Sequence, residues 1–358
     1  MKRNFKPGGI LILSIASGMA VLAAPAAALQ ITVTYDSTVT ALANAAQFET
    51  AFNGVAAQFS SAITNSATIA INVSVGKISS NVALPAGAVS GSFDPKVLMG
   101  STAAASFANT KVALSGTGVV LPANTPAGSA LFLMPQAEVK ALGLTATYPT
   151  ANPVDGFIGF ASNMSQFSFS GTPTSTQYSF QTATMHEIEE VLGRTSSLNN
   201  SGTVYLSSAT PMDLFRYTAA GVTSYTPTTA NGGTPAYASI NGGVTDLGTF
   251  ADQTTSGDRT DWQTPVNTIS TDAQNGLLSR GTNEGLSISD EIVLQALGYT
   301  FASNNGNGLF NGANAPVGAT ASVNASQSVP EPTSLALLAA FAGLTGLTRS
   351  RIRCFGLT

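Results

Sequence analysis

Cysteine is almost missing. The 358-residue sequence has one, Cys354, so no disulfide can close within the chain and a fold has to rest on packing or on bound metal. Histidine is as scarce: His186 is alone, which rules out any metal centre built on two or three imidazoles. Charge is low too, at 9% of residues against the roughly 25% usual for soluble domains. With 14 basic and 18 acidic residues the net charge is -4, which gives no basic patch and sets nucleic acid aside as a partner. There is no G-x-S-x-G elbow and no internal repeat. A cysteine nucleophile is excluded because Cys354 lies in a tail segment, and a serine triad would have to borrow His186. What fills the chain is Ala, Gly, Ser, Thr and Asn around 44% hydrophobic residues, enough to bury a core and suited to a β-rich protein outside the cytoplasm.

Both ends read as addresses. Lys2, Arg3 and Lys6 precede an apolar run from Gly9 to Ala23, and Ala26 and Ala28 fit an A-x-A cleavage pattern, so 1–28 is expected to be a signal peptide. At the other end Pro330-Glu331-Pro332 is followed by an apolar run from Leu335 to Leu347, and then by Arg349, Arg351 and Arg353. The run is short for a span, and the arginines would hold the tail on the cytoplasmic side with the domain outside. Residues 303–329 are rich in Asn, Gly, Ala and Ser and read as a flexible linker. The folded domain is then 29–302.

Within it, Ile31 to Tyr35 alternates like a half-buried strand. Phe48, Phe52, Val55, Ala56 and Phe59 recur at helical spacing inside an alanine-rich stretch from Ala41 to Ile63. Thr68 to Val75 is a second strand, completing a βαβ unit with parallel strands. The stretch 76–147 offers only short strands or loops, with a short helix over Gln136 to Leu142. Phe157 to Phe169 has the look of a hairpin or edge strand. Residues 195–285 are expected to be irregular, and Ile288 to Leu297 to form a helix capped by Ser287 or Ser289 and ended by Gly298.

The chemistry concentrates in HEIEEVLG. A helix from about Met185, with Thr184 as its cap, puts Met185, Ile188 and Leu192 on one apolar stripe and His186, Glu190 and Gly193 on another face. Side chains one turn apart can grip a zinc ion while the intervening Glu187 serves as general base to a water. Here the second ligand is a carboxylate, a legitimate zinc donor that nonetheless leaves the metal a poorer Lewis acid and leans the site toward harder ions such as manganese or calcium. The alternative for Glu187, Glu189 and Glu190 is a solvated helix surface. For a third ligand the candidates are Asp213, then Asp246. Asp213 could equally pair with Arg216 or serve a turn. Asp246, Asp252, Asp258, Asp261 and Asp272 crowd a loop-rich stretch that could hold a structural calcium or be ordinary turn aspartates. Trp262 reads as a core plug.

The tail resembles the PEP-CTERM sorting signal of Gram-negative bacteria, which implies recognition by an exosortase after passage through the secretion machinery. It also implies a transient inner-membrane stage and delivery to the cell surface or extracellular matrix. HEIEEVLGR resembles the H-E-x-x-H-x-x-G pattern of metzincins, with Gly193 at the turning glycine, Glu190 in place of histidine and Ser196 at the usual third-ligand position. Pro211-Met212-Asp213 stands where those enzymes have a methionine turn. Together with PMDLFRY, GDRTDW and SISDEIVLQALGY, from about residue 30 to the end, the chain resembles PEP-CTERM-sorted metalloproteases. The resemblance implies an α+β, zincin-like domain with a mixed sheet around a central metal-site helix, and zinc-dependent hydrolysis of a peptide or protein substrate. The alternative is a non-catalytic surface or matrix protein on a degenerate zincin fold.

Overall fold

A computed structural model describes residues 28–99, 119–126, 131–198, 208–225, 235–252, 258–263 and 272–302. The expected signal peptide up to residue 27, the linker and the sorting tail lie outside the described residues. Among the described residues no helix is long and apolar enough to cross a membrane.

In chain order the first elements are β1 (Gln30–Tyr35), α1 (Ser37–Thr40), α2 (Ala45–Ala62), β2 (Thr68–Val75), β3 (Ser90–Phe93), β4 (Lys96–Met99) and β5 (Leu131–Pro135). Next come α3 (Gln136–Ala141), β6 (Gly156–Phe160), β7 (Phe167–Ser168), β8 (Tyr178–Ser179) and α4 (Phe180–Val191). The series ends with β9 (Ser208–Ala209), β10 (Arg216–Ala219), β11 (Val222–Thr223), β12 (Tyr237–Ala238) and α5 (Ile288–Ala296). The protein is α+β with mixed sheets. The largest runs β1-β2-β6-β3, with β1, β2 and β6 parallel and β3 antiparallel at its edge. Among the described residues, two three-stranded sheets, β4-β5-β9 and β11-β10-β12, and the parallel pair β7-β8 complete the set.

The βαβ opening forms as its spacing predicts: β1 and β2 pair in parallel from Gln30 opposite Thr68 to Tyr35 opposite Val73. Between them the helix expected over 41–63 starts late, after a separate short helix, α1, that the sequence did not announce. Asp36 caps α1 by accepting from the Thr38 amide at 2.8 Å, and residues 41–42 spend their amides closing that turn on Ser37 and Val39. Helix α2 therefore starts only at Ala45, with Phe48, Phe52, Val55 and Phe59 fully buried.

The expectation of a hairpin or edge strand over 157–169 fails for its first part, although β7 within it pairs with β8 alone among the described residues. Strand β6 is interior, bonded to β2 on one side and β3 on the other. Its glycines hid this in the sequence, because they add nothing to a hydrophobic pattern. A Cβ on Gly159 would sit 2.3 Å from the Lys77 carbonyl oxygen, and one on Gly156 would sit 2.4 Å from the methyls of Val191. Bare backbone is what allows the chain and helix α4 to close on this strand.

Helices α2 and α4 touch each other; α2 packs on β1 and α4 on β3 and β6. Phe180, the first residue of α4, is wedged between Phe48 and Phe160, with ring centroids 4.5 and 4.6 Å away, and Phe167 and Phe169 close the cluster. Burying such a ring contributes about 1.5–3 kcal/mol. The cluster fixes where the helix carrying His186 begins and how it lies on the sheet.

Candidate metal centre

Helix α4 begins five residues before the sequence expectation. Ser179, not Thr184, is its cap, with Oγ accepting from the Thr182 amide at 3.2 Å. Thr184 lies inside the helix and donates to the Phe180 carbonyl at 2.8 Å. The extra turn exists because Phe180 gains its place in the aromatic cluster, a tertiary contact that local capping preference does not register. The helix ends at Gly193, whose φ of +125° favours glycine; a Cβ there would stand 3.0 Å from Glu138 Oε2. Glu187, Glu189 and Glu190 are all buried, so a solvated glutamate face does not describe them.

His186 and Glu190 converge as the one-turn spacing dictates, with Nε2 and Oε1 3.7 Å apart. The third member is Asp261, whose Oδ1 is also 3.7 Å from Nε2. Among the described residues this is the one group of three whose ligand atoms lie within 4.8 Å of one another. Each member is held from behind. His186 Nδ1 lies 2.8 Å from the Ala273 carbonyl, which selects the tautomer with Nδ1 protonated and Nε2 as acceptor. Gln274 Nε2 donates to the His186 carbonyl at 2.9 Å. Ser92 Oγ, on β3, donates to Glu190 Oε2 at 2.6 Å. Asp261 Oδ2 accepts from the Asp258 amide at 2.9 Å, while its Oδ1, fully buried, accepts no hydrogen bond from the described residues.

The donor set fits a divalent cation. Ligands at about 2.0–2.2 Å from a tetrahedral zinc lie roughly 3.4 Å from each other, close to the two 3.7 Å separations. A buried carboxylate oxygen without a donor is costly unless a cation faces it. Burial lifts the Asp261 carboxyl above its usual range, against the pull of His186 and Arg194. It also pushes neighbouring Asp258 up to about 7, with Asp261 adding to the effect. Glu189 faces away, toward Arg194 at 3.1 Å; burial and Asp290 push it up to about 8 against the pull of Arg194.

Asp213 lies outside this group. It is the third residue of a capped 3-10 turn, Pro211–Phe215, and its carboxylate accepts from Ser196 Oγ (2.5 Å), Ser197 N and Oγ (3.2 and 3.1 Å) and Thr210 N and Oγ1 (2.8 and 3.0 Å). Those five donors occupy the oxygens a metal would need. The alternative partner for Asp213, Arg216, pairs instead with Asp252. Asp246 is likewise engaged, accepting from the Gly248 amide at 2.9 Å. Asp272 accepts from the Gln274 amide at 2.8 Å. Of the five aspartates weighed as a calcium loop, only Asp261 joins the group of three.

Sequence reasoning weighed Asp261 only for a calcium loop and missed it as the third member of this group, and with it Ser92 and the Ala273 carbonyl. The available signal was GDRTDW, which sets Asp261 beside the single tryptophan, and a buried tryptophan marks a docked loop. An open groove of about 670 Å³, lined in part by Gln47, Thr50, Phe169 and Gln181, contains none of these side chains. No family model, curated protein or solved structure matches the chain.

Proposed function

We propose that the chain is an exported, surface-sorted metallopeptidase on a zincin-like domain, with His186, Glu190 and Asp261 as metal ligands and Glu187 as general base. The observation that carries this reading is the convergence of His186 Nε2, Glu190 Oε1 and Asp261 Oδ1 at one buried point. Three protein ligands leave a fourth position, the arrangement of catalytic rather than closed structural zinc sites. A metal held there would supply a polarised water and a Lewis acid for the scissile carbonyl. Zinc is the favoured ion, with manganese or calcium the alternatives for a set with one nitrogen and two carboxylates.

The protein's own part is orientation and proton transfer. Ala273 and Gln274 fix His186, Ser92 fixes Glu190, and the loop around Asp261 brings the second anion. Glu187, next to His186 on α4, takes the proton of the attacking water and returns it to the departing amine. Passage through the secretion machinery, exosortase handling and a surface or matrix destination rest on the sequence of the two ends.

The test is elemental analysis of the mature secreted protein, purified without chelator, beside peptide hydrolysis. One zinc or manganese per chain, lost in Asp261→Asn, together with a Glu187→Gln variant that keeps metal and loses cleavage, is the expected outcome. Undiminished cleavage by Glu187→Gln would refute the catalytic assignment. A second reading, a non-catalytic surface protein with a structural metal, is favoured by one observation: His186, Glu187, Glu190 and Asp261 are each no more than 3% exposed. It predicts one metal per chain, a melting temperature lowered by chelator, and no hydrolysis by the unaltered protein.

A further inference from the structure

The loop 258–263, which carries Asp261, comes to the metal group from far along the chain and has little regular structure of its own. Something has to hold it over α4. The residues on either side of Asp261 both end on one buried pair, Arg194 and Asp290. Arg194 Nε donates to the Thr260 carbonyl at 3.2 Å, and Thr260 Oγ1 donates back to the Arg194 carbonyl at 2.9 Å. On the other side the Arg194 guanidinium lies 4.1 Å from the centre of the Trp262 ring, and Trp262 Nε1 donates to Asp290 Oδ1 at 2.8 Å. The same Asp290 oxygen binds Arg194 Nη1. Its other oxygen accepts from Ser287 N at 2.7 Å and Ser287 Oγ at 2.9 Å, the capping box of α5. Arg194, Thr260, Trp262 and Asp290 are all essentially inaccessible to solvent.

We propose that Arg194 and Asp290 are positioning residues for the metal centre: they clamp Thr260 and Trp262 so that the intervening Asp261 presents Oδ1 to His186 and Glu190. The inference rests on the metal-site reading above and deepens it. Arg194 is three residues past Val191, the last residue of the helix that carries both other ligands, so the clamp fixes the third ligand relative to the first two. Asp290 extends that reference to the start of α5. A planar guanidinium suits the task, because one group can bond a carbonyl edge-on, pair with a carboxylate and stack on an indole at the same time.

A purely structural ion pair would stabilise the fold without altering metal binding, and the two roles separate by measuring both. The protein pair to compare is wild type and Thr260→Val/Trp262→Phe, which removes the loop's hydroxyl and indole donors but leaves Arg194–Asp290 intact. The control is Asn65→Ala, which cuts four hydrogen bonds beyond the opposite end of α5: two donated to the Ala141 and Gly298 carbonyls at 3.0 Å each, and two accepted from Thr300 N at 2.6 Å and Thr300 Oγ1 at 3.1 Å. Zinc and manganese affinities are read by chelator competition and stability by melting. Loss of outer supports of this kind costs about 10–100-fold in metal affinity, which is the expectation for the double variant, while Asn65→Ala melts lower with its affinity unchanged. Thr260→Val alone, which keeps the single tryptophan, should weaken binding by about fivefold, seen as a later midpoint in metal-induced change of Trp262 fluorescence. Affinities equal to wild type in both loop variants would overturn the proposal, as would an equal loss in Asn65→Ala. A wild-type protein that takes up neither metal would overturn the metal-site reading itself.

Discussion

Changing Ser92 to alanine removes one oxygen and one hydrogen bond, from Ser92 Oγ to Glu190 Oε2 at 2.6 Å. That length lies in the range of charge-assisted O–H···O⁻ bonds. Ser92 is 6% exposed and Glu190 3%, so water has little room to replace the hydroxyl. A hydrogen bond to a charged group contributes about 1.5–3 kcal/mol. With about 1.4 kcal/mol per factor of ten, full expression of that range in the metal-bound state alone would weaken affinity by roughly 10–100-fold. The bond also exists before metal arrives, so only part of it is differential, and we expect roughly tenfold weaker zinc binding. The cause is a Glu190 carboxylate that turns away from the direction in which Oε1 faces His186. Chelator competition on Ser92→Ala and wild type measures it directly. A variant that melts lower but binds zinc as wild type does would show that Ser92 supports the fold alone, and the account of Glu190 orientation would fall.

Asp213→Ala should separate fold from site in the opposite sense. Three donors, Ser196 Oγ and the amides of Ser197 and Thr210, lose their acceptor, while the Ser197 and Thr210 hydroxyls keep bonds of 2.6 Å each to the Ser208 and Thr195 carbonyls. With unsatisfied buried donors costing about 1–3 kcal/mol each where no water reaches them, a loss of roughly 3–5 kcal/mol in unfolding free energy is expected from denaturant titration. Metal content per folded chain should stay that of wild type, and its loss in a stable variant would return Asp213 to the ligand set. Glu284 supplies a pH dependence. Burial raises its carboxyl from an ordinary 4.5 to about 7, so the folded state holds a proton that the unfolded state has released. Its contribution is fully present below about pH 4.5 and is lost as pH rises through 7, at up to about 1.4 kcal/mol per pH unit inside that window. Glu284→Gln should therefore lose less stability than wild type between pH 5 and 8, roughly, in paired melts; parallel losses would refute it.

Much of the scaffold could be read locally. Strand β2 follows from T-I-A-I-N-V-S-V, where branched apolar residues alternate and Ile69, Ile71, Val73 and Val75 are all buried. Helix α5 follows from its ends: Ser287 and Asp290 form the capping box, and Gly298 takes the left-handed turn at φ +96°. Caps and periodicity are bargains among residues within a turn or two, so the sequence carries them openly. The pairing of His186 with Glu190 is of this kind, since four residues on a helix are one turn.

What the sequence did not carry depends on contacts between distant segments. The true start of α4 is set by Phe180 against Phe48 and Phe160, and the interior place of β6 by backbone that reaches Gly159 and a side chain that reaches Gly156. The identity of the third oxygen is the sharpest case. Asp213, Asp246 and Asp261 look alike in composition and neighbourhood. Thr210, Ser196 and Ser197 claim the first, a local turn claims the second, and the third is delivered to His186 because Arg194 and Asp290 dock the residues on both sides of it. The sequence by itself determined which helix carries two ligand-type side chains one turn apart; only the docking of a distant loop decided which carboxylate meets them.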